Sequence, residues 1–153
     1  MTRWIVTLAL AALPVLAAPS ARAADASTDA VAGVRKLLND QQAAWNRSDL
    51  ATFMDGYWKS DSLTFYSAGE VEKGWRAAYE RYEKKYHAEG REMGRLDFDI
   101  HSITPLARDI VLVRGAWFLK RSTDAPHGLF TLVVRRFPTL GWRIIHDHTS
   151  SAE

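Results

Sequence analysis

Near the C-terminus the chain reads Leu140-Gly-Trp-Arg-Ile-Ile-His-Asp-His-Thr-Ser150, a run of strand-forming residues carrying two imidazoles and a carboxylate. Strict alternation along a strand would put Trp142, Ile144, His146 and His148 on one face, and Arg143, Ile145, Asp147 and Thr149 on the other. Two histidines sharing a face with a Trp and an Ile is the composition expected of a cavity wall. A His in a dry pocket has its pKa near working pH. The reading that asks least of such a wall is a small-molecule-binding protein with no assigned reaction; the alternatives are a cofactor-independent isomerase, lyase or cyclase with His146 and His148 as the acid–base pair and Asp55 as a second acid, and a dimerisation module without a ligand. His146-x-His148 would also put two imidazoles within reach of one metal ion, but alternation sends Asp147 to the opposite side and leaves no third ligand nearby. No metal and no cofactor is expected.

A second chemical stripe lies upstream. Trp75, Tyr79, Tyr82 and Tyr86 succeed one another at spacings of four, three and four, the spacing of one helix face. Three buried tyrosines bring three hydroxyls that need partners, which predicts a polar or water-filled space beside them. The residues expected to line that space are Trp45, Tyr57, Trp75, Tyr79, Tyr82, Trp117 and Phe130, with His146, His148 and an inward-turned Arg114 as the polar contacts. Such a lining suits a small apolar or aromatic molecule, with or without a carboxylate. Arg76, Arg81, Lys84 and Lys85 fall off the aromatic stripe and read as a solvated face.

The elements that must position these residues are legible in order. Met1-Thr-Arg3, an apolar run from Trp4 to Leu16 and Ala21-Arg-Ala23 have the form of an export signal, placing a signal peptide at 1–23 and the mature chain in the periplasm or outside the cell. The apolar run is shorter than the ~20 residues of a membrane span, so no stable anchor is expected. Residues 24–30 read as a tether, with Thr28 or Asp29 capping the first helix. Val31, Val34, Leu37, Leu38, Gln41 and Trp45 then recur at helical spacing, and Ser48 is placed to cap a short second helix carrying Leu50, Phe53, Met54 and Tyr57. A strand over Ser62–Ser67 ends at an Ala68-Gly69-Glu70 turn, and Val71 to Gly74 leads into the aromatic helix. Four strands come next. In the first, Leu96, Phe98 and Ile100 alternate with Asp97, Asp99 and His101. Asp109–Lys120 and Gly128–Phe137 are apolar on both faces, as strands covered on both sides are.

Helices segregated ahead of an antiparallel sheet give an α+β domain over 31–150. The second apolar face needs a cover, and another copy of the chain would supply one, so a homodimer through the sheet is expected. Removing 1–23 takes away Arg3 and Arg22 and leaves 18 basic against 18 acidic residues, so the mature chain is formally neutral and gives no reason to expect a nucleic-acid partner. The chain has no Cys, and hence no disulfide or cysteine nucleophile. It also lacks a Gly-rich phosphate loop and a Gly-x-Ser-x-Gly elbow, which argues against nucleotide hydrolysis and serine-esterase chemistry.

The order of elements, with Gln42-Ala-Ala-Trp45-Asn46, Asp49-Leu50, Gly74-Trp75, Gly128-Leu-Phe-Thr131 and Gly141-Trp-Arg-Ile-Ile-His-Asp-His-Thr-Ser150, resembles the nuclear transport factor 2-like superfamily. Within it the chain resembles the SnoaL-like, domain-of-unknown-function 4440 branch, which is also similar to the association domain of calcium/calmodulin-dependent protein kinase II. The resemblance implies a cone-shaped α+β barrel of cystatin-like form, a strongly bent antiparallel sheet with three N-terminal helices on its concave side, a deep cavity between them and usually a homodimer. It implies no single activity, because the fold serves isomerases, dehydratases, cyclases, hydrolases and ligand-free assembly modules alike.

Overall fold

The computed structural model describes residues 20–89 and 91–152. The signal segment expected at 1–23 lies largely outside them. Helix α1 covers Ser20–Asn46, so residues 24–30 form no tether and Thr28 and Asp29 lie inside the helix instead of capping it. Between Ser20 and Gly33 there is neither Gly nor Pro, and alanines, the strongest helix formers, carry the helix through. Among the described residues no helix is long and apolar enough to cross a membrane.

Helix α2, Leu50–Met54, is capped by Asp49, whose Oδ1 accepts from the Thr52 amide at 3.0 Å. Ser48, expected in that role, instead takes the left-handed backbone conformation that reverses the chain (φ 61°). Strand β1, Thr64–Ser67, turns through Ala68 and Gly69, both at positive φ (54° and 79°), into strand β2, Glu70–Lys73. Two consecutive left-handed residues make the tight hairpin turn whose twist matches the flanking strands. The expectation that Val71 to Gly74 simply leads into a helix therefore gives way to a short, charged edge strand. Helix α3, Trp75–Tyr82, runs into a π-helical turn, Glu83–His87.

Strands β3 (Arg95–Ala107), β4 (Ile110–Lys120), β5 (His127–Phe137) and β6 (Gly141–Thr149) form an antiparallel meander. The six-stranded order is β2-β1-β6-β5-β4-β3. β1 lies parallel to β6, pairing Phe65 with Asp147, so the sheet is mixed at this one junction and not wholly antiparallel. Register shifts interrupt β3 at His101 and Leu106 and β6 at Ile145, and such extra residues bend the strand that holds them. The result is the cone-shaped α+β, cystatin-like fold, a curved sheet with the helices on its concave side.

Helix and sheet meet over a core that includes Val34, Leu38, Met54, Leu63, Val111, Val113, Val134 and Ile144. Polar side chains of α1 finish the contact. Asn46 donates to the Leu96 carbonyl (2.9 Å) and accepts from the Leu96 amide (2.7 Å). Gln42 accepts from the Phe98 amide (2.8 Å), and the Trp45 indole donates to the Met93 carbonyl (3.1 Å). The Gln42-Ala-Ala-Trp45-Asn46 motif thus acts as a strand-like partner for the open edge of β3. Asn46→Ala removes two of these bonds and leaves the Leu96 peptide unpaired. It is expected to cost about 1–3 kcal/mol in urea unfolding, with the midpoint shifting at unchanged slope.

Candidate functional site

Alternation on β6 is broken at Ile145. On the neighbouring strand Val133 faces His146 and Val134 faces Ile144, so Ile145 is an extra residue with no cross-strand partner. Beyond this bulge the inward and outward sets exchange. Ile144 and Asp147 both point into the concave side and are buried, at 1% and 5% exposure. His146 and His148 point outward. The expectation that the imidazoles look into the cavity is therefore corrected: His146 Nδ1 lies 2.6 Å from the Thr64 hydroxyl, and both rings pack on Tyr66, which is itself exposed. Partial burial, with His148 close by, lowers the His146 pKa.

The concave side holds a cavity of about 90 Å³ between α1, α3, its π-helical turn and the sheet. Of the residues expected around it, Trp45, Tyr57, Tyr82, Trp117 and Phe130 are lining residues. Trp75 and Tyr79 are not; they stack on each other at 5.1 Å, and the Trp75 indole donates to the Met54 carbonyl. Arg114 is exposed on the outer face of β4, opposite Thr131 and away from the cavity. Asp55 is exposed and pairs with Lys59 at 2.7 Å. Conversely, Arg81 and Lys85, read as part of a solvated face, line the cavity, as do Asp147, Ser67 and Tyr86.

Asp147 is the chemical centre of this space. Its Oδ2 accepts from the Tyr57 hydroxyl at 2.8 Å, while its buried Oδ1 has no hydrogen-bond partner among the described residues. Tyr57 is delivered by backbone pairing: the Trp58 amide donates to the Ile144 carbonyl and the Ile144 amide to the Gly56 carbonyl, so Gly56–Trp58 runs as a short parallel rung beside β6. A side chain at 56 would run into the buried Gln41 amide, which donates to the Phe53 carbonyl and would have to shift, so Gly lets this rung close against α1 with that bond intact. Phe65, Phe130, Leu132 and Ile144 line the same cavity, and the Asp147 side chain is buried. Burial raises the Asp147 pKa to about 7, against the opposing effect of the Tyr57 hydrogen bond. Burial, then the nearby Asp147 carboxyl, pushes the Tyr57 and Tyr82 phenols well above their ordinary range, so both stay neutral and able to donate. Among the described residues no cluster of three or more His, Cys, Asp or Glu is arranged to hold a metal ion.

A solved protein of unknown function from Shewanella oneidensis MR-1, described as nuclear transport factor 2-like, superposes with a TM-score of 0.74 at 38% identity, covering 78% of this chain and 98% of that one. The chain belongs to the nuclear transport factor 2-like family. More distant solved structures share the fold. An association domain of calcium/calmodulin-dependent protein kinase type II, so described, from Thiobacillus denitrificans ATCC 25259 superposes at TM-score 0.64 and 23% identity, covering 76% of this chain and 93% of that one. A ketosteroid isomerase-like protein from Erwinia carotovora atroseptica SCRI1043 does so at 0.62 and 18%, covering 80% and 95%. No family model matches the chain, and no curated protein sequence does.

For this nuclear transport factor 2-like chain the raised acid has a thermodynamic signature. Between pH 4 and 7 the native state holds a proton on Asp147 that the unfolded chain has released, so this group's contribution falls as pH rises through that window and stays low above it. Asp147→Asn is nearly isosteric with the protonated acid. It is expected to leave stability unchanged near pH 4 and to raise it by roughly 2–4 kcal/mol at pH 8, measured by urea unfolding at the two pH values.

Proposed function

We propose that this protein binds a small molecule in the concave cavity and moves a proton on it without a cofactor, as an isomerase or lyase does, with Asp147 as the base. The observation that carries this reading is the Asp147 carboxyl, which lines an apolar cavity: it is buried, held through one oxygen by Tyr57, with its second oxygen unpartnered among the described residues and its pKa near neutral. A carboxylate so poised can take a proton from a carbon next to a carbonyl, the C–H electron pair passing into the enolate. Returning the proton to a different carbon completes an isomerisation; expelling a group from the next carbon completes an elimination. The neutral Tyr82 phenol supplies a hydrogen bond for the developing enolate oxygen. His146 and His148, on the outer face, take no part. Simple binding without turnover uses the same cavity and is the second reading, favoured if a ligand stabilises the protein but exchanges no hydrogen.

The test is solvent deuterium uptake, monitored by NMR, into small carbon acids such as 3-butenoate, cyclohexenones and short keto acids. Wild-type protein is expected to catalyse uptake with a rate that rises as pH passes about 7. Asp147→Asn is expected to lose about 10²–10⁴-fold and His146→Ala almost nothing. Full activity in Asp147→Asn would refute the assignment.

We further propose that the protein is exported with loss of 1–23 and works as a homodimer through the outer face of the sheet. That face leaves Tyr66 37%, Phe118 47% and Leu129 59% exposed beside the half-buried Leu112 and Val133, apolar surface that a second copy would cover. In light scattering at micromolar concentration the wild type is expected at twice the mass of the mature chain and Leu129→Asp at the monomer mass. A monomeric wild type would count against the dimer, and intact mass retaining residues 1–23 against export.

A further inference from the structure

The cavity is electrically lopsided. At its deep end sits Asp147, the one acidic residue of the described lining, and at the other Arg81 and Lys85, four residues apart on α3 and its π-helical turn. Depth is set by exposure: Asp147 is buried, Arg81 half-buried and Lys85 exposed. Neither cation contributes to the Asp147 pKa, which burial and the Tyr57 hydrogen bond alone shift. Among the described residues neither cation forms an ion pair with Asp147, and the Arg81 guanidinium lies over the ring of Phe65, the cross-strand neighbour of Asp147.

Arg81 is loosely paired, and Lys85 meets no carboxylate among the described residues. Arg81 reaches Glu70 at 3.4 Å and Glu72 at 3.8 Å, both through Nη1, well beyond the length of a strong charge-assisted hydrogen bond. Lys85 makes no ion pair among the described residues; its Nζ lies 5.2 Å from the Tyr86 ring centroid. Two under-committed cations bordering an apolar cavity present an anion site whose ligand would carry its uncharged body inward. Size limits that body. At about 90 Å³ the cavity is well below the several hundred Å³ of pockets that enclose drug-sized ligands, which leaves room for a single ring or a short chain and not for a fused-ring molecule.

We propose that the ligand of this cavity is a small organic acid, single-ringed or short-chained, whose carboxylate is held at the mouth by Lys85 and Arg81 while its far end reaches Asp147. The proposal rests on the reading that the cavity binds a small molecule, and adds the charge and size of that molecule. A carboxylate at the mouth fixes the orientation of the acid, so the carbon presented to the Asp147 carboxyl is set by chain length. A neutral molecule of the same shape would have no such register.

Probe pairs alike in shape and different in charge test this: benzoate against benzamide, and crotonate against crotonamide, titrated into the full protein by calorimetry and thermal shift. Each carboxylate is expected to raise the melting temperature and to bind about tenfold or more tightly than its amide. Lys85 is exposed and supports no ion pair, so Lys85→Gln should fold normally, weaken the carboxylates about fivefold or more and leave the amides unchanged. Arg81→Gln is expected to act in the same direction, but it also releases Glu70 and Glu72, so Lys85→Gln is decisive. Amides binding as well as acids, or acid binding untouched in Lys85→Gln, would overturn the anion site and leave the cavity reading standing. Failure of every probe to bind would count against both.

Discussion

One unpaired residue in β6 sets the chemistry of this domain. A regular strand through Trp142–Thr149 would place two imidazoles inside and a carboxylate outside; the bulge at Ile145 inverts that arrangement from His146 onward. The bulge is held from both sides. On one flank β5 resumes its pairing at Val133 and His146. On the other, Gly56–Trp58 pairs with Ile144, and β1 then pairs with the segment from His146 to Thr149. The two parallel neighbours of β6 meet it above and below the irregularity, so they accommodate the extra residue without competing for it. The same arrangement aims Tyr57 at the carboxylate that the bulge has turned inward.

Desolvation and hydrogen bonding then compete at a single carboxyl group. Apolar walls favour its neutral form, and one phenolic hydrogen bond favours the charged form without prevailing, so the group titrates near neutrality. A cation in contact would have settled the contest for the anion, and a second hydrogen bond would have moved it the same way. The free oxygen therefore has a cost in stability that the surrounding core must offset, a pattern met where reactivity is kept at the expense of rigidity.

Much of the scaffold is legible in the chain before folding. The helical stripe from Val31 to Trp45, the paired strands around Asp109–Lys120 and Gly128–Phe137, and the wet outer edge at Asp97 and Asp99 come from local periodicity, which the sheet and helices obey. The site is less legible, because it depends on departures from periodicity. A bulge is a property of two strands in register, and nothing in Ile144-Ile145 announces which residue will lack a partner. Arg81 and Lys85 look solvated because they fall off the aromatic stripe, yet the cavity runs along Arg81, Tyr82, Lys85 and Tyr86 and leaves Trp75 and Tyr79 outside it. Val71 reads as part of a lead-in because four residues flanked by Gly69 and Gly74 are too few to show alternation. Family resemblance supplies the cone and its hollow, but not which side chains fill it.

Asn46 and Gln42 carry a wider consequence for how copies of this chain can meet. A sheet that ends in bare amides and carbonyls invites the next molecule to continue it, strand after strand, into a fibre. Here the first stretch of β3 is already sealed by side chains from its own helix, and the opposite margin is a four-residue strand bearing three charges. Sideways growth is therefore opposed along the first stretch of one border and along the whole of the other.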